Sequence, residues 1–420
     1  MKSRISLGMC IVFMLVAAFV TFQITYSSLT NKYESSIYSF NKYTDVTGNF
    51  EAVDTATDDD DWRELYSSLS EADAYARNYY FHDIDEEALV DNVLHIYTLS
   101  LNDKFAAYYS KDEYSEVVSS NVGTAHGIGV RVTTDTLTGG IYVYEVMQAS
   151  PADEYGIKAG DIITSVDDTP VSQVGFSKAC DMILSVPVDK SVSIDVLTKA
   201  SSYRENVKID ILKKKYDIQT VSVRMLTDEV ALVKIHEFNY NTGVEFASRM
   251  DAAIAGGAKR FIFDVRSNPG GIVDGVAQTL DYLLPEGNII TTKSKIGEEE
   301  VIKSDEKSLE APMVVLVDSS TASGGELFAA ALRDYEMATL IGTTTYGKGS
   351  MQTEHPLSDG SCIAFTTHMY YPPCGESYDG VGITPHKVVE LTDDQKSRFY
   401  RLSDDEDSQL MAALDEVINK

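Results

Sequence analysis

Between Thr321 and Gln352 the chain carries a serine, Ser323, followed by Gly324 and Gly325, and twenty-five positions later a lysine, Lys348, between Gly347 and Gly349. A serine hydroxyl is a poor nucleophile until a base takes its proton. A lysine kept neutral by its surroundings can be that base, and serine–lysine pairs carry out acyl transfer on this principle. The same residues also have plainer readings. A serine ahead of an apolar helical run is a common N-cap, and Glu326 three residues on completes a capping box. A lysine between glycines is an ordinary solvated turn residue. "NPGG" at 268–271 is an ordinary tight turn.

The elements around these residues decide between the two. From about Tyr216 to Leu391 strand patterns alternate with helical ones: "EVALVKIHEF", "TGVEFASRMDAAIAGGA", "RFIFDVRSNPGG", "IVDGVAQTLDYLLP", "MVVLVD" and "SGGELFAAALRDY". That alternation predicts an α/β core. In such sheets sites lie beyond the carboxyl ends of the strands, so "NPGG" and "TASGGE" converge if their strands are neighbours. Ser323 then stands at a helix N-terminus, whose N–H groups and partial positive charge suit a developing oxyanion.

Upstream, residues 62–114 read as helical, with Asp85 as an N-cap ahead of Leu89, Val93, Leu94 and Tyr97 at helical spacing. Residues 115–212 read as β-rich, with period-two alternation in "GIGVRVTT", "IYVYEV", "VSIDVLT" and "NVKIDIL". The tail "DDEDSQLMAALDEVI" is amphipathic and predicts a terminal helix.

Two resemblances follow from these segments. "SPADEYGIKAGD" together with "GIGV" resembles a PDZ domain. On that resemblance Gly127, Ile128, Gly129 and Val130 form a carboxylate-binding loop, whose successive N–H groups cradle a terminal carboxylate. The strand after the loop accepts a peptide at its edge. The helix near Phe176–Leu184 walls the groove, with Ile183 a lining candidate or a core residue. "NPGG", "TASGGE" and "YGKGSMQ" behind that module resemble the carboxyl-terminal processing proteases, from about residue 62 to residue 418.

This second resemblance implies a crotonase/ClpP-like core of ββα units with an inserted PDZ domain. It implies Ser323 as nucleophile, Lys348 as base, and Gln352, a helical turn or short loop later, as the residue that aims the amine. Gly324 and either Gly270 or Gly271 supply the oxyanion hole, each donor being worth ~3 kcal/mol in the transition state. The substrates implied are proteins or peptides with a free apolar C-terminus, and no cofactor is implied. The chain departs from the family pattern at Gly324 and Gly325, where Ala and Ser are frequent, at Val265, and at His386, where an aspartate is usual.

The 420 residues carry a net charge of −30, with no basic stripe, which excludes nucleic acid as a partner. Leu7 to Ile24 is an uncharged run of eighteen residues behind Lys2 and Arg4. This predicts one N-terminal transmembrane helix, uncleaved, with the remainder outside the cytoplasm, at a cell surface or in a periplasm. The histidines and cysteines show no metal-ligand spacing, and isolated thiols are favoured over a Cys362–Cys374 bridge. The expected organisation is an anchor (1–26), an acidic linker (27–61), a helical region (62–114), a PDZ domain (115–212), a protease core (213–395) and a C-terminal helix (396–420). A homo-oligomer is left open. The rival readings are a non-proteolytic PDZ scaffold or ligand carrier of the same fold, and an acyl-CoA hydratase or isomerase. Ser323 with Lys348 argues against the first, and the anchor with the PDZ module against the second.

Overall fold

The computed structural model describes residues 61–199 and 205–420. The segment expected to anchor the chain lies outside the described residues. Among the described residues no helix is long and apolar enough to cross a membrane. The described chain divides into two units.

The smaller unit combines the helical region up to Tyr114 with residues 354–365. Its helices are Asp61–Tyr79 and Glu86–Ser100. Asp85 caps the second, its carboxylate accepting from the Ala88 N–H at 3.1 Å. Arg77 near the end of the first helix holds Glu86 through two bonds of 2.6 and 2.9 Å, which ties the two helices together. Strand Ala107–Tyr109 pairs antiparallel with Cys362–Ala364.

The larger unit contains two sheets of six strands. The first has the antiparallel order β1 (Val130–Thr134), β2 (Ile141–Val146), β3 (Ile162–Val166), β4 (Ser191–Thr198) and β5 (Glu205–Leu212), with a two-residue strand added beside β3. Helix α1 (Phe176–Ser185) packs on it. β1 and β5 are the edge strands of this sheet. The inward residues of each strand, Ile141 and Val143, Ile163, and Val192, Ile194 and Val196, share one core with Ala152, Ile157 and Ala179.

The second sheet has the order β6 (Val221–Met225), β7 (Val230–Ile235), β8 (Arg260–Asp264), β9 (Met313–Val317), β10 (Ala338–Gly342) and β13 (Lys387–Val388). Only the β6–β7 pair is antiparallel. The central strands are apolar along their length because both faces are covered. Ala231, Val233, Ile235, Phe261, Phe263, Val315 and Val317 face one core. It is closed by helices α2 (Thr242–Ala255), α3 (Val273–Asp281) and α4 (Gly324–Asp334). Val230, Leu232, Ile262, Val314 and Leu316 face the other core, closed by Leu410, Ala413 and Val417 of α5 (Ser408–Ile418). The period-two alternation of the strand thus assigns each helix to a face.

Two further strands, β11 (Ser350–Pro356) and β12 (Cys362–Tyr371), pair with each other and carry the residues that follow Lys348.

Candidate active site

β8 and β9 are parallel neighbours, so the turns that leave their carboxyl ends lie side by side. The turn after β8 is held by Asn268. Its amide donates to the Ile235 carbonyl at 2.9 Å, and its Oδ1 accepts from the Gly270 N–H at 2.7 Å. The Asn268 carbonyl accepts from the Ala322 N–H at 2.9 Å, which joins this turn to the one after β9. Ser267 N–H also reaches across, to Asp318 at 2.9 Å. Gly270 has φ +101°, and a Cβ there would stand 2.7 Å from the Gly324 nitrogen and 2.8 Å from Ser323 Cβ. Glycine is required because the two turns touch main chain to main chain.

Ser323 closes the second turn at φ 51° and ψ −116°, a conformation that costs a non-glycine residue on the order of 1–3 kcal/mol. The residue is 1% exposed. α4 begins at Gly324, whose N–H has no acceptor within the helix. Glu326 does bond back to the Ser323 N–H at 3.0 Å, as a capping box requires. It also does something a cap does not. Its carboxylate, buried in the first turn of α4, accepts from Thr345 Oγ1 at 2.5 Å, from the Gly347 N–H at 2.7 Å and from the Lys348 N–H at 2.8 Å. One carboxylate therefore clasps the serine turn and the lysine loop. Burial pushes this carboxyl above its ordinary value, against the pull of its four donors.

Lys348 is likewise 1% exposed, so it is no solvated turn residue. A second bridge runs through Tyr370 on β12. Its hydroxyl donates to the Lys348 carbonyl at 2.6 Å and stands 3.2 Å from Ser323 Oγ. A phenol has one proton, and the shorter bond claims it. The Tyr370 oxygen is then left to accept from the serine hydroxyl. Of the two placements expected for Gln352, a helical turn or a short loop beyond Lys348, the helical turn is absent: the chain after Gly349 is extended and Gln352 lies on β11. Its amide donates to Ser350 Oγ at 3.3 Å and to Thr366 Oγ1 at 2.9 Å, while its buried Oε1 has no hydrogen-bond partner.

The two glycines of the first turn are not equivalent. The Gly270 N–H is already committed to Asn268 Oδ1. Gly271 bridges to Phe238, but that bridge uses the Gly270 carbonyl, at 2.8 Å from the Phe238 N–H, and the Ile272 N–H, at 2.9 Å from the Phe238 carbonyl. The Gly271 N–H is not consumed by it. Of the expected oxyanion donors, the geometry favours Gly324 and Gly271 and sets Gly270 aside as spacer.

Just ahead of the PDZ-like sheet, Gly127 ends a short strand, Thr124–Gly127, that pairs with Lys214–Asp217 as a separate two-stranded sheet. The Ile128 carbonyl accepts from the Ala152 N–H at 2.7 Å, and the Gly129 carbonyl from the Met147 N–H at 3.0 Å. These bonds use carbonyls, and Val130 then opens the free edge strand. Ile128 and Ile183 are both buried in the sheet's own core, at 4% and 7% exposure. Of the two roles open to Ile183, packing is the one its burial serves. His386 accepts from the Leu340 N–H through Nδ1 at 2.9 Å, a bond that ties its loop to β10.

Sequence reasoning read Glu326 only as a cap and missed Thr345, Asn268 and Tyr370. Glu326 and Thr345, each three residues from a catalytic candidate, carried a spacing signal. Tyr370 carried none. Among the described residues no group of three or more His, Cys, Asp or Glu side chains is placed to hold a metal ion. Cys180, Cys362 and Cys374 are free thiols.

The chain matches a PDZ domain over residues 126–216 and peptidase family S41 over residues 229–389. It is 30% identical over 330 residues to the carboxy-terminal-processing protease of Bartonella bacilliformis, covering 75% of this chain and 73% of that one. It is 29% identical to the carboxy-terminal processing protease CtpA of Bacillus subtilis, covering 78% and 70%. The solved structure of a Bacteroides fragilis protein assigned to the S41 proteases shares the fold, with a TM-score of 0.54 at 15% identity over 80% of this chain and 90% of that one. The fold and these matches define a PDZ-containing serine-type peptidase. More narrowly, the chain belongs to the carboxyl-terminal processing protease family of S41.

Proposed function

We propose that this protease is a single-pass membrane-anchored endopeptidase working outside the cytoplasm, which takes hold of protein C-termini through its PDZ domain and cuts with a Ser323–Lys348 dyad. The observation that carries the dyad is the double clasp. Glu326 and Tyr370 each bond to both the Ser323 turn and the Lys348 loop, around a strained serine at a helix N-terminus.

In the reaction Ser323 Oγ attacks the scissile carbonyl and its proton passes to the neutral Lys348 amine. The oxyanion is held by the N–H groups of Gly324 and Gly271. The lysine ammonium then gives its proton to the leaving amine, and an acyl-enzyme remains on Ser323. Water, deprotonated by Lys348, releases it. Gln352 Oε1, the unpartnered acceptor, aims the amine. The carboxylate of the substrate tail sits in the Gly127–Val130 loop while its strand adds to the edge of β1.

The test incubates the detergent-solubilised full chain, and the same chain with Ser323→Ala, with a cell proteome and maps new C-termini. Cuts that appear only with the wild type support the reading. A variant that cuts at the wild-type rate removes Ser323 as nucleophile. Capture of tails without any cutting leaves the scaffold reading standing.

A further inference from the structure

The loop that carries Lys348 is held from two sides. On one side Glu326 takes the N–H groups of Gly347 and Lys348. On the other lies a strap, residues 378–383, in the chain between β12 and β13. Bonds join the strap to the loop along its length. The Gly380 N–H donates to the Gly347 carbonyl at 2.9 Å, and the Thr345 N–H donates to the Ile383 carbonyl at 3.2 Å. The Ile383 N–H donates to Thr345 Oγ1 at 2.7 Å, and the same hydroxyl donates to Glu326. The Gly349 N–H, the first donor after Lys348, is taken at 2.8 Å by Oδ1 of Asp379.

The two segments meet main chain on main chain. A Cβ on Gly347 would stand 2.8 Å from the Gly382 nitrogen, and one on Gly349 would stand 2.9 Å from Asp379 Cβ. Tyr378 roots the strap in the core. It is buried, and its ring packs edge-on against Tyr370 with centroids 6.0 Å apart. Its carbonyl accepts from the N–H groups of Val381 and Gly382 at 3.1 and 2.9 Å, which closes the turn. Asp379, next in the chain, is exposed, yet its carboxylate reaches the N–H of a buried glycine. Of the bonds between strap and loop described above, this is the one made by a strap side chain, so a substitution can remove it and leave the main-chain bonds in place.

We propose that Asp379 is a positioning residue for Lys348, whose hold on the Gly349 N–H keeps the lysine loop shut against water. The inference rests on the proposed reading of Lys348 as the base. Without the carboxylate, water must satisfy the Gly349 N–H, one residue from the buried amine. Hydration favours the ammonium, and a smaller fraction of Lys348 is then neutral at pH 7. A carboxylate near an amine also acts through its charge, and in the opposite sense, since an anion favours the ammonium. The two roles therefore predict opposite shifts when the side chain is removed. The other titratable groups set against the loop, Glu326 of α4, Tyr370 of β12 and Tyr378 of the strap, stay as they are, as does Tyr346 within it.

The experiment compares the full chain in detergent with Asp379→Ala and Asp379→Asn. Steady-state kcat and KM are followed against pH on an unstructured protein substrate. The Lys348 amine is titrated separately, from the carbon-13 shift of its Cε in lysine-labelled protein, with Lys348→Arg to identify its signal. In Asp379→Ala both the acid limb of kcat and the amine titration are expected to move up by about one pH unit, which lowers kcat about tenfold on the limb. KM is expected to change by less than about twofold, because the lost bond lies on the base and not on a substrate contact. Above the limb the two rates converge. Asp379→Asn keeps a side-chain oxygen for the same bond and is expected to stay within about twofold of the wild type at every pH.

An amine titration in Asp379→Ala that stays in place, or moves down as the charge role requires, overturns the proposal. So does an asparagine variant that behaves like the alanine one. A fall in kcat of equal size at all pH values also overturns it, since that marks a damaged loop and not a hydrated base. If the wild type cuts no substrate but the Lys348 titration still moves up in the alanine variant and not in the asparagine one, the role of Asp379 stands and the peptidase reading falls.

Discussion

At the scale of single residues, the question is whether Lys348 is neutral when Ser323 needs it. A lysine in water loses its proton near pH 10.4, and a charged ammonium cannot accept another. Burial disfavours the charged form, and Lys348 is buried with its own N–H and carbonyl taken by Glu326 and Tyr370. Activity is expected to rise with pH as the amine deprotonates, and both Lys348→Arg and Lys348→Ala are expected to be inactive. A pH–rate profile with initial rates of the two variants checks this, and appreciable turnover by Lys348→Arg near neutral pH removes lysine as the base. Glu326→Gln puts an amide N–H where one of four donors now points, so the serine turn and lysine loop lose their common clasp. A misplacement of that kind costs about 100-fold in rate. It is expected in kcat with KM little changed. Ser323, Lys348 and Gln352 could be singled out as candidates because three glycine-rich segments occur together at a family spacing. The clasp was not, because Ser-x-x-Glu spells a helix cap and a four-donor hub with the same letters. Tyr370 was hidden because a strand's alternation reveals which face a side chain takes and not what waits there.

At the scale of elements, the alternation of β7, β8 and β9 made the two-sided core legible, and the amphipathic tail announced α5. The face α5 covers was not legible, since both faces of the central strands are apolar and either could take it. Arg266, in the turn after β8, bonds to Asp264 at 2.9 Å and to Asp407, the N-cap of α5, at 2.8 Å. Burial alone would raise the Asp264 carboxyl. The charges of Arg266 and Lys234 outweigh it and hold the group well below its ordinary 3.8. A depressed carboxyl stabilises the fold above its unfolded value and loses that contribution as pH falls. The acid limb of a denaturation curve is therefore expected to begin near pH 4, and Asp264→Asn to flatten it. Asp407→Ala strips one partner from a buried guanidinium and a cap from α5. A loss of about 3–5 kcal/mol is expected for breaking such a pair, read as a fall in the urea midpoint. The PDZ groove was legible as a loop but not as a lining. Ile183 sits at helical spacing in either role, and only its burial among the sheet's own side chains separates them. If the Gly127–Val130 loop captures a tail carboxylate, amidating the C-terminus of a test peptide weakens binding. Equal affinities for the acid and the amide would remove carboxylate capture.

At the scale of the whole molecule, the proposal depends on where the chain works. A net charge of −30 repels nucleic acid and suits the proposed setting, in water on the outer side of a membrane. Leu7 to Ile24 carries no charged residue and is near the ~20 residues needed to span the apolar core of a bilayer. Lys2 and Arg4 precede it, and positive flanks are retained in the cytoplasm, so the proposed topology has the rest of the chain facing outward. Phe22, Gln23, Ile24, Thr25 and Tyr26, at and beyond the end of the run, lack the small side chains a signal peptidase selects, so the proposal keeps the run attached. The expected outcome is a protein of full mass that resists extraction by alkaline carbonate but leaves the membrane in detergent. In intact cells without an outer membrane, added protease should digest everything beyond the anchor. Protection in such cells places the catalytic part on the cytoplasmic side and ends the topological claim. A mature N-terminus beyond Tyr26 ends the anchor alone, and leaves the Ser323–Lys348 chemistry to be judged by its own pH profile.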